Sequence, residues 1–75
     1  MLNREEILSV LGKLLADFDT MRSAPIVSIS KVEKSNDWEL QVKWIVGIIE
    51  KTQLTNFALK HGLTMREANN CTFFR

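Results

Sequence analysis

The chain has 75 residues, of which 45% are hydrophobic and 25% charged, and its net charge is +1. That length admits one domain with one small core, and so small a net charge does not by itself announce a nucleic-acid or membrane partner. The single cysteine, Cys71, and the single histidine, His61, exclude an internal disulfide and fall short of the about four ligands of a structural zinc site.

A core of this size supplies only about 3–5 kcal/mol unless something reinforces it, which makes a homodimer the expected state. The unpaired thiol fits a reducing compartment, and the opening Met1-Leu2-Asn3-Arg4-Glu5-Glu6 carries acids where a secretion signal carries positive charge, so a cytoplasmic location is expected. The longest mostly apolar run, Trp44 to Ile49, covers six residues, whereas a membrane span needs about twenty.

The first element is a helix. Asn3 suits its N-cap, Glu6 completes an Asn-x-x-Glu capping box, and Leu2 is placed to staple onto Ile7. At about 100° per residue, Ile7, Leu8, Val10, Leu11, Leu14, Leu15 and Phe18 fall within an arc of about 160°. A stripe that wide predicts a helix lying on a sheet and burying all seven. A loop follows over residues 19–25, where Pro25 biases Ala24 away from helix.

Ile26 to Lys34 is rich in β-branched residues and Trp38 to Val46 alternates, with Ser35-Asn36-Asp37 between them, which predicts a β-hairpin. Trp38, Leu40, Val42, Trp44 and Val46 then share one face. Val27 and Ile29 join it under a two- or four-residue turn, leaving Ser28 and Ser30 on the other. A second helix is expected from about Lys51 to His61, with Thr52 as cap, Leu54, Phe57 and Ala58 buried, and Gly62-Leu63 as a Schellman ending. The alternation of residues 63–67 and 71–75 around Ala68-Asn69-Asn70 predicts a short last hairpin. The fold expected is α+β, in the order helix-strand-strand-helix-strand(-strand). It has a mostly antiparallel sheet of three or four strands, with both helices on the Trp38/Trp44 face.

Candidate chemistry is thin. His61 in a last helical turn is explained by the helix dipole and the terminal carbonyls, and Cys71, in a predicted strand with Phe73, reads as a buried structural thiol. Glu5-Glu6 and Asp17/Asp19 suit a helix entry and a helix exit. Isolated glycines at 12, 47 and 62 build no phosphate loop. No catalytic residue, cofactor or metal ligand is assigned, and the chain is expected not to be an enzyme.

The apolar residues that a two-layer fold does not bury are Ile26, Ile45, Ile48, Ile49 and Leu59, and they form the expected interface with a second copy or an unidentified protein partner. The function expected is a non-enzymatic protein-interaction module of adaptor or inhibitor type. The alternative is a weak nucleic-acid-binding domain. Residues 1–39 carry five Lys/Arg against seven Asp/Glu, whereas residues 40–75 carry five (Lys43, Lys51, Lys60, Arg66, Arg75) against two. The tryptophans are not read as a stacking platform, because they alternate in phase with aliphatic residues.

Overall fold

A computed structural model describes residues 2–18, 26–47 and 49–75. The order is α1 (Arg4–Asp17), β1 (Val27–Lys31), β2 (Trp38–Lys43), α2 (Lys51–His61), β3 (Met65–Ala68) and β4 (Cys71–Phe74). The strands form one antiparallel sheet in the order β1-β2-β4-β3. The fold is the α+β arrangement expected from the sequence, with the last hairpin present. The loop expected over residues 19–25 lies outside the described residues, as does Ile48.

Local chemistry sets the element ends. The Asn3 side chain accepts from the Glu6 N–H at 2.9 Å, and the Glu6 carboxylate accepts from the Asn3 N–H at 3.1 Å, so two orphan donors of α1 are satisfied reciprocally. At α2 the cap is Glu50 and not Thr52: the Glu50 N–H donates to Gln53 Oε1 at 2.8 Å, and its carbonyl accepts from the Leu54 N–H at 3.2 Å. Gly62 ends α2 at φ 64°. There the Leu63 N–H donates to the Ala58 carbonyl at 2.8 Å and the Gly62 N–H to the Leu59 carbonyl at 3.4 Å, which is the Schellman pattern.

Turn chemistry sets the register. Val32 donates to the Asp37 carbonyl at 2.9 Å, closing a four-residue turn that pairs Val27 with Val42 and Ile29 with Leu40. The β3–β4 turn is Asn69-Asn70, both at positive φ (53° and 61°), a conformation asparagine tolerates better than most side chains.

The core lies between the sheet and the helices. Ile7, Val10 and Leu14 of α1, with Phe18, meet Leu40 and Val42 of β2; Leu54, Phe57 and Ala58 of α2 meet Phe74 of β4. The Phe57 and Phe74 rings meet edge to face, their centroids 5.4 Å apart. Trp38 and Trp44 pack against this core on the expected face but are only half-buried. The Trp44 Nε1–H donates to the buried Thr72 Oγ1 at 2.7 Å, giving both polar groups a partner.

Three further expectations are corrected. α1 buries four residues of its stripe and half-buries Leu11, but leaves Leu8 and Leu15 41% and 45% exposed, because they lie on the flank of α1 away from α2, where no described helix packs against them. β2 stops at Lys43, so Val46 is not on the Trp face. The chain reverses there through Gly47 at φ 76°, and Val46 projects into solvent, 94% exposed. The same reversal overturns Ile49 as an interface residue. Ile45 and Ile49 exchange main-chain hydrogen bonds of 2.8 and 2.9 Å, and Ile49 enters the core at 0% exposure.

Candidate functional site

Strand alternation sorts the sheet into two faces. The helix side carries Val27-Val42-Thr72-Glu67 and Ile29-Leu40-Phe74-Met65 as cross-strand rows. The other side carries Ser28-Gln41-Phe73-Arg66 in one row and Lys43-Cys71-Ala68 beside it, with Ser30 and Glu39 next to Arg75. No described helix covers this second face.

The open face is organised by charge and hydrogen bonds. Glu39 is buried, because the Nη2 of Arg66 and the Nε of Arg75 reach its two carboxylate oxygens at 3.3 and 3.0 Å. The Arg66 guanidinium also sits 4.0 Å above the centre of the Phe73 ring. Gln41 bridges its neighbours: its Oε1 accepts from Ser28 Oγ at 3.3 Å, and its Nε2 donates to Cys71 Sγ at 3.2 Å. Cys71 is buried as expected, its Sγ accepting from Gln41, and among the described residues no histidine or carboxylate is bonded to the thiol.

His61 is built into the seam between the helices. Its ring meets that of Phe57 at a tilt of 56° with centroids 4.5 Å apart, and its Nε2 lies 3.4 Å from Oδ2 of Asp17. Lys60 Nζ lies 3.3 Å from the same carboxylate. Partial desolvation pushes the Asp17 carboxyl up, but the hydrogen bonds and charges of Lys60 and His61 outweigh it and leave the group below the usual carboxylate range. The cluster ties the last turn of α1 to the last turn of α2. Among the described residues, no three of His, Cys, Asp and Glu gather closely enough to hold a metal ion. The cleft of about 190 Å³ beside Trp44, Val46 and Ile49 is below the usual volume of a small-molecule pocket.

The expected interface residues do not converge. Ile26 is exposed at the start of β1 on the open-face side, where its carbonyl accepts from the Lys43 N–H. Leu59 is 77% exposed on α2, in the opposite layer. Ile45 is half-buried in its turn with Ile49.

What the structure does bring together is the free edge of β1 and one flank of α1. Lys43 donates to the Ile26 carbonyl and Val32 to that of Asp37, so the even-numbered residues of β1 face β2 and the odd ones, Val27, Ile29 and Lys31, point their main-chain groups outward. No described strand pairs with that edge. α1 lies over β2 and α2 over β4, while Asp17 marks the side of α1 that touches α2. Leu15 and Leu8 are about 160° and 180° around the helix from Asp17. They therefore lie on the flank of α1 turned away from α2, on the side of the molecule where β1, with half-buried Val27 and Ile29, is the edge strand.

No protein-family model matches the chain, and neither a curated protein nor a solved structure matches it.

Proposed function

We propose that the protein is a non-enzymatic interaction module whose first partner is a second copy of itself, joined edge to edge through β1. The observation that carries this reading is the coincidence, on one side of the molecule, of a strand edge with outward main-chain groups and the exposed leucines Leu8 and Leu15 on the flank of α1 away from α2. Both features are self-complementary. An antiparallel pairing about a two-fold axis at Ile29 sets Ile29 against its own copy and Val27 against the partner's Lys31. Their outward N–H and C=O groups then form a ladder. The sheet continues across the axis, the two α1 flanks meet over it, and the half-buried Val27 and Ile29 are covered. Edge strands left open invite such pairing, and β1, with serines on its open face and one lysine at its end, offers little to deter it.

Sedimentation equilibrium between about 1 and 100 μM tests the reading. A monomer–dimer equilibrium is the expected result. A protein that stays monomeric throughout that range overturns it.

A further inference from the structure

We infer that the open face of the sheet is a binding platform for single-stranded nucleic acid, centred on Phe73 and Arg66. This surface lies on the other side of the sheet from the helices and does not require the dimer.

The sequence places two tryptophans on the helix side, where they pack against the core and cannot receive a base. The structure supplies an aromatic ring on the side they leave open. Phe73 lies on β4, an inner strand, in the cross-strand row Ser28-Gln41-Phe73-Arg66. The Arg66 guanidinium lies over this ring, its central carbon 4.0 Å from the ring centre, so the ring holds the guanidinium in place and a base stacks on its outer side or on the uncovered part of the ring. A planar guanidinium over a ring and an aromatic face in the middle of a sheet are the two groups on which unpaired bases stack.

The charge around them has the complementary sign. Lys43, Arg66 and Arg75 stand on this face with Glu39 between the two arginines, while Asp37, next on the same face, lies at the turn end of the strand. The Glu39 carboxylate is buried under the two arginines, so it orients their side chains and offsets one of their two charges. Gln41 and Ser28 extend the row with amide and hydroxyl groups able to bond base edges. The other basic residues of the C-terminal half stand elsewhere: Lys51 and Lys60 are on α2, where they pair with Glu67 and Asp17. A strand laid across β2, β4 and β3 therefore meets phosphate-binding cations around a stacking centre.

Fluorescence anisotropy with a labelled mixed-sequence 12-nucleotide RNA or DNA strand tests this. Three phosphate contacts give a salt slope of about −2, so raising salt from 50 to 200 mM is expected to weaken binding about twentyfold. Phe73→Ala is expected to weaken it by about five- to a hundredfold. Lys43→Gln, a change at an exposed residue that cannot disturb the core, is expected to weaken binding and flatten the salt slope by about 0.7. Lys51→Gln, in the helix layer, is expected to leave it unchanged. The inference is overturned by absence of binding at 100 μM protein in 50 mM salt, or by binding that Lys43→Gln leaves intact. It is equally overturned if an oligoglutamate peptide of equal length binds as tightly and Phe73→Ala affects neither ligand.

Discussion

Phe74→Ala is expected to leave most of the domain unfolded at 25 °C. Phe74 is fully buried, pairs with Leu40 and Met65 across two strands, and meets Phe57 of α2 edge to face. Truncating a buried phenylalanine costs about 3–5 kcal/mol, as much as a core of this size has to give. Its neighbour Phe73 points to the open face, because side chains of a strand alternate. Phe73→Ala is expected to keep a cooperative thermal transition by far-ultraviolet circular dichroism, while Phe74→Ala loses it. Equal losses for the two would contradict the assignment of faces in β4.

The second large effect concerns association. Leu8 and Leu15 are each about two-fifths exposed, so each has that fraction of a leucine's about 1.5–3 kcal/mol of burial still to gain. Four such side chains meet across a two-fold contact, giving about 2–5 kcal/mol in all. Replacing both by glutamate forfeits this and adds like-charge repulsion, so Leu8→Glu/Leu15→Glu is expected to raise the dimer dissociation constant at least about fiftyfold. The fold is expected to survive, because neither residue belongs to the buried set of Ile7, Val10 and Leu14. A double variant that dimerises as tightly as its parent would remove α1 from the contact.

What was legible in the sequence is what is decided within a few residues. Asn3 and Glu6 announce the start of α1, Gly62-Leu63 the end of α2, and Asn69-Asn70 the tightest turn. The alternation of Leu40 and Val42 gave the face of β2, and the four-residue turn then fixed Val27 and Ile29 opposite. What was not legible depends on distant partners. Nothing local to Glu39 shows that Arg66 and Arg75, 27 and 36 residues away, come to cover it. Ile49 reads as an outward extension of β2 because an isolated glycine does not announce a turn, whereas the Ile45–Ile49 main-chain bonds close a reversal through Gly47 that carries Ile49 into the core. Leu8 and Leu15 belong to a continuous apolar arc on α1, and only the position of α1 over β2 shows which part of the arc the sheet fails to reach. Phe73 and Phe74 are adjacent apolar residues whose faces only the pairing with Gln41 and Leu40 tells apart.

The central claim is the pairing of β1 with its own copy, and amide hydrogen exchange by NMR reads it residue by residue. In the monomer the Ile29 N–H points away from β2 and has no strand beside it among the described residues, whereas Ser28 and Ser30 are bonded to β2. At a concentration where sedimentation shows dimer, protection of the Ile29 amide comparable to that of Ser28 and Ser30, falling on dilution while theirs persists, is the expected result. An Ile29 amide that exchanges at the rate of an unstructured chain in the dimer would contradict it.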